Sequence, residues 1–271
     1  MRTNNWLLKS TNQLKKSGIA TARLDVLILL EDMCSKDRGW LLAHPEHQLT
    51  KEQLEILDKQ VARRTRHEPL AYIRGRCEFY GHTFVVNKHT LEPRPETETM
   101  IDLIRKIDLS SSSIIVDVGT GSGCLAISSK ILHPEVDVIG IDIDAECIQT
   151  ARENAKKLGV GVNFMQGNLL KPLSTYEKNE LIILANLPYV PDSHTINQAA
   201  MFEPKSAIFG GPNGLDLYRQ MFDQIDDIDN KPTHVLTESL PFQHKDLSTI
   251  AKASGYMQTQ EEDFIQIFNR L

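Results

Sequence analysis

Apolar residues recur at helical spacing through the first quarter of the chain, then give way to short unbroken apolar runs. Trp6, Leu7 and Leu14 share one side of a first helix. Thr21 to Met33 reads as a second helix, with Leu24, Leu27, Ile28 and Leu30 on or near its inward face. Asp37 to Ala43 suits a short helical piece. Leu49 to Val61 is predicted as another helix, capped by Thr50 with Gln53 three residues on. Residues 75–92 change character: Cys77 to Val86 alternates around Gly81, the pattern of a β-hairpin. Pro93 and Pro95 preset an extended segment, and Thr97 is placed to cap a helix from Glu98 to Ile107.

From Ile114 onward strands and helices take turns. Leu181–Ala185 is a bare apolar run, as a strand covered on both faces is, Ile114–Val118 is one broken only by Asp117, and Val136–Ile141 and His234–Thr237 are read as further strands. Helices are predicted over Leu125–Leu132 and Ala145–Leu158. Gly255–Gln260 and Phe264–Phe268 suit a closing antiparallel pair. The alternation predicts an α/β, doubly wound parallel sheet carrying a small helical N-terminal domain.

Charge divides along the same line. Residues 1–84 hold 14 Lys and Arg against 10 Asp and Glu; the rest hold 16 against 26. The acidic remainder argues against a general duplex-DNA binder, which must neutralise many phosphates. Arg63, Arg64, Arg66, Arg74 and Arg76 cluster either as a solvated helix end or as a docking face for an acidic or RNA-associated partner. Cys34, Cys77, Cys124 and Cys147 are widely spaced and read as reduced thiols, and the histidines form no metal-binding motif, so no metal is expected. With neither a spanning apolar run nor a signal segment, the expectation is a cytoplasmic protein without a membrane partner.

Two motifs carry chemistry. Asp117 precedes Gly119, Thr120, Gly121, Ser122 and Gly123, a glycine turn between a strand and a helix. Such a turn lets backbone approach a ligand, and Asp142 at the next strand's tip can accept ribose hydroxyl hydrogens, so a nucleoside cofactor is expected. The G-x-G-x-G spacing departs from the dinucleotide G-x-G-x-x-G. Asn186, Leu187, Pro188 and Tyr189 follow the strand Leu181–Ala185, at the sheet's carboxyl edge. An amide nitrogen is a poor nucleophile. The Asn186 side-chain oxygen and a backbone carbonyl can accept its two N–H hydrogens and aim it, while Tyr189 packs on the planar group. Any planar NH2 fits: adenine, cytosine or glutamine.

These residues resemble the release factor glutamine methyltransferase family (PrmC/HemK-like) over nearly the whole chain. The resemblance rests on Glu68 to Gly75 with Glu78 to Gly81, on Pro93 to Glu98, on the two loops above, and on Phe202 to Pro204 running to Gly210, Gly211, Gly214 and Leu215. It implies a Rossmann-like class I methyltransferase sheet at 93–271, a β-hairpin linker at 75–92 and a helical release-factor-recognition domain at 1–74. It implies that S-adenosyl-L-methionine meets Gly119, Thr120, Gly121, Ser122, Gly123, Asp142, Asn168, Leu169 and Asn186. Asn186, Leu187, Pro188 and Tyr189 would hold the glutamine of a Gly-Gly-Gln loop, with Asn186, Pro188 and Tyr189 catalytic. No direct nucleic-acid substrate is expected; an N6-adenine methyltransferase and an inactive translation-factor binder are the alternatives. Leu187 stands where the family has Pro, which predicts a looser loop, and Asn168 where it has Asp. Residues Glu238 to Pro241 replace a more glycine-rich turn, without an evident reason.

Overall fold

The computed structural model describes residues 1–173 and 180–271. They divide into two compact units: Met1–Gly75 with Asn197–Phe202, and Arg76–Ile196 with Glu203–Leu271.

The first unit packs helices α1 (Thr3–Lys16), α2 (Ala22–Cys34), α3 (Arg38–Ala43), α4 (Lys51–Arg64) and α5 (Leu70–Arg74). Helix α2 is the centre: Ala22, Val26, Leu27, Leu29 and Leu30 are all buried, around most of its circumference. Leu24, expected inward, is exposed, and Asp25 takes an inward place instead. The reason is a buried ion pair, Arg64 Nε to Asp25 Oδ2 at 2.7 Å. Arg63 pairs with Glu68, and Arg74 with Asp32. Arg64 and Arg74 are therefore largely internal structure, while Arg63 is paired but keeps an exposed side chain. Thr50 forms the expected reciprocal cap, accepting from the Gln53 N–H at 3.2 Å while Gln53 Oε1 accepts from the Thr50 N–H at 2.9 Å. Such a cap contributes about 1 kcal/mol. Trp6, fully buried, donates its indole N–H to Asp58 at 2.8 Å.

The second unit begins with the hairpin β1 (Arg76–Phe79) and β2 (His82–Val85), followed by α6 (Glu98–Ile104). Then come β3 (Ser113–Val118), α7 (Cys124–Leu132), β4 (Asp137–Asp142), α8 (Ala145–Leu158), β5 (Asn163–Gln166) and β6 (Glu180–Ala185). Helix α9 (Asp216–Asp227), β7 (His234–Glu238), α10 (His244–Ala253), β8 (Tyr256–Glu262) and β9 (Ile265–Arg270) complete it. The strands form one sheet in the order β5-β4-β3-β6-β7-β9-β8, parallel except where β9 meets β7 and β8. Ile114, Val116 and Val118 face a core shared with α9 and α10, while Ile115, Val138, Ile182 and Leu184 face α6, α7 and α8. Both faces are covered, which is why these strands read as continuous apolar runs. The hairpin is tied to α8: Asn154 accepts from the Val85 N–H at 2.7 Å and donates to the Val85 carbonyl at 3.0 Å.

Helix α6 stops at Ile104 rather than Ile107, and Thr97 does not cap it; its hydroxyl is engaged elsewhere. Strand β5 and helices α9 and α10 were not anticipated. The sheet order reverses between β3 and β6, so the loops that follow these two strands flank one crevice at the carboxyl edge. No helix among the described residues is long and apolar enough to cross a membrane.

Candidate active site

The loop after β3 is held by its own neighbourhood. The Gly119 and Thr120 N–H groups donate to the Ile141 carbonyl at 2.8 and 2.9 Å, and the Gly123 N–H to the Thr120 carbonyl at 2.8 Å. The Gly121 N–H donates to Asp142 Oδ2 at 2.9 Å. Four backbone donors of the turn are thus spent inside the protein and are not offered to a phosphate. Under the turn, Asp117 is 1% exposed and accepts from the Thr120 hydroxyl at 2.5 Å and the Ala126 N–H at 3.1 Å. Burial pushes its carboxyl up to about 7 against those two donors. Gly119, Gly121 and Gly123 all take positive φ. A side chain at Gly123 would press on Ala151, Ile127 and Phe164 at 3.0 to 3.2 Å, so this glycine serves helix-to-sheet packing.

Beside the turn lies a cavity of about 180 Å³. Gly119, Thr120, Gly121, Ser122, Asp142, Asn168, Leu169, Asn186, Leu187 and Pro188 line it; Gly123 and Tyr189 do not. Glu92, Asp117, Asp142 and Asp144 give it an acidic wall, and Arg94 is the Lys or Arg on its lining. Arg94 itself is matched by Glu203, which lies 2.6 and 2.8 Å from Nη2. An acidic wall with spent backbone donors repels a pyrophosphate and suits a cation attached to a nucleoside. Each Asp142 oxygen accepts one backbone N–H, from Gly121 and Asp144, and each keeps a lone pair for a ribose hydroxyl. Burial raises the Asp142 carboxyl, opposed by those two N–H groups.

The loop after β6 is held from a distance. Asn186 Nδ2 donates to Thr97 Oγ1 at 3.0 Å, and the Thr97 hydroxyl donates to Glu238 Oε2 at 2.7 Å. The Tyr189 hydroxyl donates to Glu238 Oε1 at 3.0 Å. Burial and the Glu238 charge raise the Tyr189 phenol, so it keeps its proton. Glu238 is 1% exposed, and burial raises its carboxyl against the Thr97, Tyr189 and Asn186 donors. The unexplained residue after His234 is therefore the anchor of the reaction motif. Gln243 Nε2 donates to the carbonyls of Tyr189 and Asn213 at 2.8 Å each. Backbone packs so closely here that a methyl at Gly210 would lie 2.2 Å from the Pro188 oxygen, and one at Gly214 2.0 Å from the Tyr189 oxygen.

Leu187 does not loosen this loop. Its side chain is 2% exposed and joins the core under the sheet. Its N–H, which proline would lack, donates to the Tyr218 hydroxyl at 3.2 Å. That hydroxyl lies against the Ala185 and Glu238 carbonyls, linking the ends of β6 and β7. Leu169 adopts φ 54°, and the next N–H, of Leu170, donates to Gln224 at 2.8 Å. Sequence reasoning missed Thr97, Glu238, Arg94 with Glu203, and Tyr218. One signal was available for Glu238: like Asp142, it is a carboxylate ending an apolar strand at the ligand-binding edge.

Comparison with known proteins gives the family. The PrmC N-terminal domain family matches residues 5–75, and a methyltransferase domain family matches residues 109–262. A release factor glutamine methyltransferase of Vibrio cholerae is 37% identical over 77% of this chain and 74% of its own. The chain belongs to the release factor glutamine methyltransferase family. Another protein of that name, from Enterococcus faecalis, is 40% identical over 67% of this chain and 66% of its own length. The T. thermophilus 16S rRNA N2 G1207 methyltransferase, solved with AdoMet and guanosine, superposes with a TM-score of 0.51 at 11% identity, over 72% of this chain and 50% of that one. At that identity the likeness shows the shared class I methyltransferase fold alone. Among the described residues, no group of three or more His, Cys, Asp or Glu could hold a metal ion.

Proposed function

We propose that the protein transfers a methyl group from S-adenosyl-L-methionine to the side-chain amide nitrogen of the glutamine in the Gly-Gly-Gln motif of peptide chain release factors. Membership of the family supports the activity and the cofactor. One observation carries the site assignment: Asn186 lines the acidic cavity with its NH2 end turned to Thr97, so Oδ1 is the acceptor it offers a substrate.

The cofactor supplies an electrophilic methyl on a sulfonium. This chain's residues do the rest. Gly119, Thr120, Gly121 and Ser122 would leave room for it, Asp142 would accept its ribose hydroxyls, and Asn168 and Leu169 would border its adenine. Asn186 Oδ1 and the Leu187 carbonyl accept the two hydrogens of the glutamine NH2, which fixes the nitrogen and points its face at the methyl. Pro188 keeps Leu187 extended, and Tyr189, tied to Glu238, holds the loop's far end. The acidic surroundings favour a sulfonium cation over its neutral product. No strong base is needed if the proton leaves after the methyl arrives.

In this reading residues 1–74 recognise the release factor, residues 75–92 link the domains, residues 93–271 carry out transfer, and the protein works in the cytoplasm. The test is a competition. A release factor and an adenine oligonucleotide are incubated together with the protein and S-adenosylmethionine, and both are weighed by mass spectrometry. Methyl on the release factor alone is the expected result. Methyl on the oligonucleotide alone would move the protein to the nucleic-acid class, and methyl on neither would favour an inactive binder.

A further inference from the structure

The oxygen and nitrogen of an asparagine side chain have nearly the same size, so packing alone does not decide which one faces a substrate. Polarity decides it, and here the polarity can be traced to one buried group. A carboxylate only accepts hydrogen bonds, and a hydroxyl has a single hydrogen. Thr97, 2% exposed, gives that hydrogen to Glu238 Oε2 at 2.7 Å. Its lone pair is then what faces Asn186, and only the NH2 end of Asn186 can answer it, as it does at 3.0 Å. Tyr189 reports the same polarity at the other oxygen of Glu238, donating at 3.0 Å.

We propose that Glu238, acting through Thr97 and directly on the Asn186 NH2, is the positioning residue that holds Asn186 with its oxygen toward the substrate, and so selects substrates that present an NH2 group. This rests on the reading of Asn186 as the residue that orients the substrate amide. Without an acceptor at Glu238 the Thr97 hydroxyl is free to turn its hydrogen to Asn186. The asparagine can then present NH2 to NH2, two donors facing one another, with no change in shape or volume.

The experiment measures single-turnover methyl transfer to a release factor for five variants, Asn186→Ala among them, with cofactor affinity by calorimetry and thermal melting on each. Glu238→Gln keeps the size of the side chain and removes the obligatory acceptor. Thr97→Val keeps the size and removes the relay, and it stays informative if burying a glutamine amide at 238 unfolds the protein. Each is expected to slow transfer by about tenfold or more with cofactor affinity little changed. Thr97→Ser restores the hydroxyl and is expected to restore the rate. The double variant Glu238→Gln with Thr97→Val is expected to be no slower than the worse single variant, because both cut one relay. A purely structural Glu238 would give multiplying losses instead, and would overturn the proposal. So would full transfer rates in Glu238→Gln and Thr97→Val beside an inactive Asn186→Ala. If Asn186→Ala itself turns over normally, the underlying reading of the site fails, a different outcome from failure of the relay.

Discussion

The two loops at the carboxyl edge are built in opposite ways. The turn after β3 is closed by groups within about one strand of it: Ile141, Asp142 and its own Thr120. The turn after β6 is closed by side chains from far along the chain, Thr97 before it and Tyr218, Glu238 and Gln243 after it. In the proposed reaction the first loop shapes a space for a cofactor, and a backbone cradle suffices. There the second must offer one atom at one orientation, which backbone alone does not provide, and its fastening at several side chains fits that need. Local construction tolerates change. Construction by distant contacts transmits it.

The largest expected effect lies at the second loop. Asn186→Ala should lower transfer by about 10³-fold, the scale of losing a preorganised polar contact to a reacting group, with cofactor affinity only modestly weaker by calorimetry. Equal losses in both would mean that the loop serves the cofactor more than the substrate. Next come two glycines that set the loops against each other. Gly214→Ala drives a methyl to 2.0 Å from the Tyr189 oxygen and should cost about 3 kcal/mol or more. Gly121→Ala has its nearest atom at 4.0 Å and carries only the strain of φ +55°, about 1 kcal/mol. Denaturant melts of the pair measure both; equal costs would mean that the two loops do not differ in their tolerance of change. Smaller again is Asp142→Ala. Losing two ribose contacts should raise the cofactor dissociation constant by about tenfold, and an unchanged constant would refute the ribose assignment.

The gentlest probe is pH. Asp117 titrates near 7 in the fold against 3.8 in an open chain. Its contribution to stability is whole below 3.8 and is lost as pH rises through about 7, by at most about 1.4 kcal/mol per pH unit. Asp117→Asn should flatten that part of the stability curve in melts taken from pH 4 to 8. An unchanged slope would assign the pH dependence to other groups.

The same contrast explains what could be read from the sequence. The glycine turn, Asp142 and the strand before each loop were legible because their partners are close in the chain. Thr97 was misread as a helix cap because its hydroxyl is drawn to Glu238, 141 residues away. Leu187 looked like a loosening of the reaction loop, yet it gains an N–H bond and a buried side chain. Leu24 fitted the apolar stripe of α2 but yields to Asp25, whose pairing with Arg64 outweighs pattern. Removing Arg64 would strand a buried carboxylate, a loss of about 3–5 kcal/mol. Strand β5 has four residues, too few to show a period. Helix α9 did carry a signal, with Tyr218, Met221, Phe222 and Ile225 at helical intervals, all buried in the same core.

The central claim is that a glutamine amide is what Asn186 aims. Fragmentation mass spectrometry of a methylated release factor locates the added methyl to a single atom group. It is expected on the side-chain nitrogen of the Gly-Gly-Gln glutamine, present with the unaltered protein and absent with Asn186→Ala. Methyl on any other residue of the factor, or on that glutamine irrespective of Asn186, would contradict it.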